Sequence, residues 1–462
     1  MSRLPRIAVG GVYPYVQWQP AVWALTECLQ REVGHVQSFA SQSRFFPWDA
    51  AGAITGQGVR HLDSWTMSPK ICRELFLHGM YATDLGVVEG PYVARHALGG
   101  TAGGRMETLC EWLDLPRVVI MDVSHSDACR IPDRPRQVDA IILDRLQRPS
   151  DFLAFQTRME ALWRAPVVGA VPVSPALSAV VEHLPDGTRP SRELCRALGN
   201  ALSPYLNVDA LLRLADRRPF ADRGGESLDL VSATTSLSLA VAKSVTVAVP
   251  YDDAFYRYFP DTLDLLEARG ARIRHFSPLR DESLPPDTDL VFMGCGRPEL
   301  FADRLAGNHC MLTSLREYIA AGGRVYAEGG AAAYLCRRMV LECGRQLPMV
   351  GALPVSAHAA ALPVSAHAAA PPDGCQPMEF TMPTDNWLAP PNSSWRGYRN
   401  PAWSFSSRDS SVTDQCGPNH QLLSLSSHNV VASLVHFNFA AYADAAWNLL
   451  QPGRAVARAT AS

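Results

Sequence analysis

The chain has 462 residues, 47% of them hydrophobic and 19% charged, with a formal net charge of -3. That is the make-up of a globular protein long enough for two cores, and without a basic stripe interleaved with aromatics it gives no reason to expect nucleic acid. No apolar run of about 18 residues marks a membrane span, and no apolar secretory stretch opens the chain, so a cytoplasmic protein without a membrane partner is expected.

Between residues 6 and 215, short apolar runs alternate with amphipathic segments. Residues 7–9, 85–88, 118–121, 140–143 and 167–171 read as strands, and 21–32, 106–113 and 152–163 as helices. Continuous Val/Ile runs interleaved with helices predict an α/β fold whose first domain, 1–215, is a doubly wound, mainly parallel sheet covered on both faces. Residues 216–243 carry Arg217-Arg218-Pro219, Gly224-Gly225 and a Ser/Thr-rich patch, and read as a linker.

A second α/β series, 244–450, opens at Val245-Thr246-Val247-Ala248-Val249. Its helix over 262–269 ends at Gly270, a residue suited to the left-handed C-cap, and 273–276, 290–292 and 325–326 are further strands. Residues 353–360 are repeated at 361–368, and the segment 353–376 reads as a low-complexity, duplicated loop; its spaced histidines are attributed to the duplication and not to a metal site. The 11 cysteines form no C-x-x-C pair and no Cys/His ligand spacing, which argues for reduced thiols and against a structural metal.

The most informative stretch is Ala327-Glu328-Gly329-Gly330. Residues 324–327 read as a buried strand and 331–338 as a helix, so the turn between them is an elbow of the kind that lifts a nucleophile above a sheet edge. Here its tip is Gly329.

Met293-Gly294-Cys295-Gly296-Arg297-Pro298-Glu299-Leu300, the elbow, and Ser433-Leu434-Val435-His436-Phe437 resemble the oxyanion loop, nucleophile turn and histidine strand of the glutamine amidotransferase domain in the cobyrinic acid a,c-diamide synthase family. In the first half, His61-Leu62-Asp63-Ser64-Trp65-Thr66-Met67, Val87-Val88-Glu89-Gly90, Leu115-Pro116-Arg117-Val118-Val119-Ile120-Met121-Asp122, Ala140-Ile141-Ile142-Leu143-Asp144-Arg145 and Pro166-Val167-Val168-Gly169-Ala170-Val171-Pro172 resemble phrases of the family's synthetase domain in the same order. The resemblance covers most of residues 5–355. It implies a phosphate-loop, dethiobiotin-synthetase-like first domain, a class I glutamine-amidotransferase-like second domain, and an activity that uses ATP and glutamine to amidate two carboxylates of a corrin precursor.

The resemblance also places the sites. Gly10 and Gly11 fall at the phosphate loop, yet residues 10–20 hold no Lys, Ser or Thr; Pro14 and Pro20 remove donors, and Tyr13, Tyr15 and Trp18 fill phosphate space. Glu89 and Asp122 stand where the family holds magnesium, though carboxylates at strand ends also serve as caps or ion-pair partners. Gly329 marks the vacated nucleophile position, His436 the base and Gly296 the oxyanion loop; Cys295, on the opposing loop, and Cys336, past the elbow, are not expected to reach the same point. Asp63 belongs to a family substrate phrase. Trp387, Trp395, Tyr398, Trp403 and Phe405, with Arg396 and Arg399, read either as a face for a macrocycle bearing carboxylates or as core.

The resulting expectation is a catalytically degenerate homologue that retains tetrapyrrole-carboxylate or partner binding and needs no cofactor. The alternative is an amide ligase of cobalamin-type tetrapyrrole biosynthesis using Mg-ATP with ammonia or glutamine. A homodimer is left open.

Overall fold

The computed structural model describes residues 4–12, 18–45, 48–92, 103–124, 134–184, 188–218, 220, 245–360, 375–381, 387–390, 393–406, 413–416, 422–427 and 429–451. Tyr13, Pro14, Tyr15 and the second copy of the repeat lie outside them. The chain divides into two compact units, the first running to Ser232 and the second starting at Ala233.

The first unit contains β1 Arg6–Gly11, β2 Val36–Ala40, β3 Arg60–His61, β4 Leu85–Glu89, β5 Arg117–Asp122, β6 Ala140–Leu146 and β7 Val167–Pro172. They form one parallel sheet in the order β3-β2-β4-β1-β5-β6-β7. Every strand expected in this half is present. β2 and β3 are additions, because Gln37 and Ser38 interrupt the apolar run that would have announced β2, and β3 is only two residues long.

The helix Gln19–Val33 has Pro20 in its first turn, where a missing N–H costs nothing, and buries Val22, Leu25 and Leu29 in a core shared with Leu194, Leu198 and Leu202 of the helix Arg192–Leu202. The chain stays packed on this unit beyond residue 215: Phe220 is buried, stacked on Phe76 at 5.8 Å and lying under the Arg73 guanidinium at 4.4 Å. Of the linker expected over 216–243, the described residues 216–218 and 220 thus remain with this unit, and the rest lies outside the described residues.

The second unit has β8 Thr246–Pro250, β9 Phe255–Arg257, β10 Arg272–Phe276, β11 Leu290–Met293, β12 Cys295–Gly296, β13 Arg324–Glu328, β14 Cys336–Val340, β15 Gln346–Pro348 and β16 Leu353–Ala359. It continues with β17 Gln376–Thr381, β18 Ser394–Arg399, β19 Trp403–Ser406, β20 Thr413–Cys416, β21 Leu422–Ser427, β22 Val430–Ser433 and β23 Val435–His436. The main sheet runs β10-β8-β11-β13-β22-β21-β19-β16-β14-β15, with β20 beside β21; β12 pairs with β9, and β17, β18 and β23 make a small antiparallel sheet. The parallel part, β10 to β22, is the α/β half the sequence announced. Gly270, at φ 88°, ends the helix Pro260–Ala268 as expected.

Two expectations change here. The helix after the elbow is Gly330–Leu335 only, and Cys336 opens β14 instead of continuing the helix to residue 338. The first copy of the repeat is no loop. As β16 it alternates Val355 and Ala357 inward with Ser356 and His358 outward, paired between β14 and β19.

Candidate functional site

β13 lies between β11 and β22, and all three run in parallel. Its last residue, Glu328, pairs with Ser433, so the chain leaves both strands at one sheet edge, where Gly329 N–H donates to the Ser433 carbonyl at 2.8 Å. Gly329 sits at φ 52°, ψ -117°, backbone that only glycine adopts without strain. The elbow is real.

Three residues beyond Ser433, His436 is 2% exposed, and its Nδ1 lies 3.1 Å from Glu328 Oε2. The other carboxylate oxygen accepts from Phe437 N–H at 3.1 Å and from the Tyr326 hydroxyl. Tyr326 and Glu328 are two apart on one strand and so share a face. Gly397, across from the histidine strand, must be glycine: a Cβ there would stand 2.4 Å from the His436 carbonyl oxygen. Trp395 packs edge-on to Phe437 at 5.1 Å and stacks on Tyr442, bracing that strand.

The sulfur of Cys295 closes this group, and here the structure overturns the expectation that the opposing loop could not deliver a thiol. A Cβ added at Gly329 would stand 2.8 Å from Cys295 Sγ, 3.1 Å from His436 Cε1 and 3.2 Å from Asn400 Nδ2. Cys295 hydrogen-bonds His436, receives the Gly330 N–H, and has the Asn400 amide 3.5 Å away. Cys336 does stay away, its thiol donating to the Ala332 carbonyl at 3.3 Å in a wholly buried site that pushes its pKa far up.

The loop reaches this far because it packs without side chains. A Cβ at Gly296 would stand 1.9 Å from the Ala254 carbonyl oxygen and one at Gly294 would stand 2.4 Å from that of Arg257, so both glycines let β12 lie flush on β9. The resulting electrostatics favour a thiolate and an imidazolium. Burial alone would raise the Cys295 pKa, but His436, Arg257 and the Gly330 N–H act the other way and leave it lowered. Burial likewise opposes charge on His436, and Cys295 with Glu328 outweigh it, raising that pKa. Sequence reasoning missed Glu328 and Asn400. The signal for Glu328 was its place, one residue before the tip on a strand parallel to the one leading to His436.

In the first unit, Gly10–Gly11, Glu89 and Asp122 end the adjacent strands β1, β4 and β5, at the edge where chain order reverses and open α/β sheets bind ligands. Gly10 permits close approach, since a Cβ there would stand 1.6 Å from the Gly90 carbonyl oxygen; at Gly11 it would stand 2.6 Å from the Trp18 indole. That indole is buried at the start of the helix Gln19–Val33, so an aromatic occupies the mouth, as expected for Trp18. Burial, then Asp49, pushes the Glu89 carboxyl up to about 8, whereas Asp122 accepts from Ser124 N and Oγ and lies 3.4 Å from Arg145. Magnesium needs ionised oxygen ligands. A Glu89 carboxyl that retains its proton does not suit that role.

Of the three proposed substrate residues, Asp63 lies in the first unit and Arg396 and Arg399 in the second. Asp63 is fully buried and its carboxylate accepts from the N–H groups of Ser43, Trp65 and Thr66, a turn-organising role. Arg396 pairs with Glu379 at 3.1 Å at the surface, while Arg399 is half-buried, with its Nε without a partner among the described residues. Trp395, Tyr398, Trp403 and Phe405 are buried, so these rings are core and form no open platform. Among the described residues no helix is long and apolar enough to cross a membrane, and no group of three His, Cys, Asp or Glu is placed to hold a metal ion.

Residues 246–367 match the CobB/CobQ-like glutamine amidotransferase domain. The chain is 28% identical over 368 residues to a cobyrinate a,c-diamide synthase of Syntrophotalea carbinolica, an alignment covering 76% of this chain and 77% of that one. It is 28% identical to one from Methanosphaera stadtmanae, covering 65% of this chain and 67% of the relative. It is 29% identical to one from Salmonella typhimurium, covering 67% and 69% respectively.

Proposed function

The chain belongs to the cobyrinate a,c-diamide synthase-like family, and from that premise we propose that its second unit is a working amide-hydrolysing centre that supplies nitrogen to carboxylate amidation on a corrinoid-type acid. One observation carries this reading: Glu328, His436 and a sulfur are buried in one hydrogen-bonded line at the elbow. Burying ionisable groups costs several kcal/mol per ion unless they are paired, and a binding scaffold gains nothing from such a line. A glutaminase needs it, because the thiolate attacks the carboxamide and the imidazolium protonates the departing nitrogen.

The test is ammonia release from L-glutamine by the full chain, wild type against His436→Ala, followed by amidation of a corrinoid polycarboxylate with Mg-ATP. Release that requires His436 supports the reading. If neither protein releases ammonia from glutamine, the centre is inert and the reading fails.

A second reading, a degenerate homologue that binds a tetrapyrrole carboxylate or a partner, is favoured by Trp18 lying against Gly11 where phosphates would enter. Calorimetry with Mg-ATP and with a corrinoid acid separates the two: heat from the corrinoid alone favours this second reading.

A further inference from the structure

We propose that Cys295, carried by β12, is the nucleophile of this centre and has taken over the role that the elbow position would fill. This deepens the amide-hydrolysis reading and rests on it for the substrate class. The geometry is direct. Sulfur, imidazole and the Asn400 carboxamide all surround the point where a side chain at 329 would begin, with Sγ nearest at 2.8 Å. A Cβ essentially never stands that close, so a side chain at the tip would require the sulfur to shift from its present place; the glycine and the sulfur are two halves of one arrangement. A bare elbow leaves a void for sulfur; a filled elbow would exclude it.

The remaining parts are in place around that sulfur. With Nδ1 engaged by Glu328, Nε2 is the imidazole nitrogen left to face Cys295. The Gly330 N–H, which reaches the sulfur, is a backbone donor placed for an oxyanion formed beside it. A cavity of about 470 Å³ is lined by Arg297, Glu299 and Ala402, among others. Along the chain, Arg297 lies two residues from Cys295 and Ala402 two residues from Asn400. The substrate class, a free amino-acid carboxamide such as glutamine, is taken over from the amide-hydrolysis reading.

The step balances without an oxidant or cofactor. Thiolate Sγ bonds to the amide carbon, the carbonyl π pair moves to oxygen, and collapse breaks the C–N bond as His436 Nε2 gives its proton to nitrogen. Ammonia leaves a thioester. Water then adds, one of its protons passing to Nε2; the C–S bond breaks, and the product leaves as the carboxylic acid, which gives its remaining proton to solvent, with thiolate and imidazolium restored.

The experiment combines turnover with labelling of the unsubstituted protein. The full chain at pH 7 is incubated with iodoacetamide or a chloroketone analogue of glutamine, and the alkylated peptide is mapped; in parallel, ammonia release is measured for wild type, Cys295→Ser, Cys295→Ala and Cys336→Ala, each checked by its melting temperature. Label on Cys295 blocked by prior glutamine, with release lost at least a hundredfold in both Cys295 variants and kept in Cys336→Ala, supports the proposal. Release undiminished in folded Cys295→Ala overturns it while leaving the amide-hydrolysis reading intact. If wild type releases no ammonia yet Cys295 alone is labelled, tenfold or more slowly in His436→Ala, the nucleophile stands and the glutamine reading fails. No label on Cys295 with no release overturns both.

Discussion

The sulfur of Cys295 fills the space that a side chain on Gly329 would need, 2.8 Å from the first atom of any such side chain. The two positions therefore exclude each other. Installing Cys by Gly329→Cys in the otherwise unchanged chain is expected to create no second nucleophile. Overpacking costs about 1–3 kcal/mol, and a side chain at φ 52° adds about 1 kcal/mol or more of strain, so the variant should melt several degrees lower with ammonia release reduced. The swap Cys295→Gly with Gly329→Cys frees the space and returns sulfur to the elbow beside His436. Release recovered in the swap but absent in Gly329→Cys alone is the expected pattern; equal release in both would show that the two sites do not compete.

Reactivity should follow the paired charges. Cys295 is held below the ordinary thiol range of about 8.5 chiefly by His436, against burial that pushes the other way. The thiolate is therefore favoured over that of an ordinary thiol, and it is lost as pH falls through the lowered value. At high pH the raised His436 pKa is crossed and the proton needed by the leaving nitrogen disappears. Ammonia release should therefore be bell-shaped, whereas alkylation should fall only on the acid side. In His436→Ala only Arg257 and the Gly330 N–H still oppose burial, so the acid limb of alkylation should move to higher pH. An unchanged alkylation profile in that variant would contradict the pairing.

Much of this was legible in the residues. Val/Ile runs announced the central strands β1, β4, β5, β6 and β7 because strands buried on both faces leave no room for polar alternation. The elbow was visible as strand, Gly-Gly, helix. What escaped were features made by distance: β16 looked like an alanine-rich repeat because its inward positions, Val355 and Ala357, are small, and only pairing with β14 and β19 makes it a strand. Cys295 was discounted for the same reason, since its reach depends on Gly294 and Gly296 lying flush on the backbone of Ala254 and Arg257, which no spacing along the chain encodes.

Glu328 positions His436 and should be tested as a positioning residue. Its Oε2 holds Nδ1 at 3.1 Å while Phe437 N–H and the Tyr326 hydroxyl fix its other oxygen. Glu328→Gln keeps the shape but loses the negative charge that supports the imidazolium. Release should drop on the order of a hundredfold or more, and the alkaline limb of its pH profile should move to lower pH. A purely structural role would lower the melting temperature without moving that limb.

The first unit makes an independent prediction through Glu89. Its carboxyl keeps its proton to about pH 8 because burial, then Asp49, disfavours the charge, whereas the unfolded chain releases it near ~4.3. Between those values the folded state binds more protons than the unfolded one, so stability falls as pH rises through that window. Glu89→Gln removes the titration. The melting temperature of the variant should match wild type near pH 4 and exceed it by a margin that widens up to about pH 8, then stays constant, reaching several degrees. Mg-ATP supplies the counter-test: a magnesium ion beside Glu89 would stabilise its carboxylate, so added Mg-ATP should narrow the gap in the wild type if this edge still binds nucleotide. A gap untouched by Mg-ATP would mean that the strand ends of β1, β4 and β5, with Trp18 against Gly11, no longer bind the nucleotide.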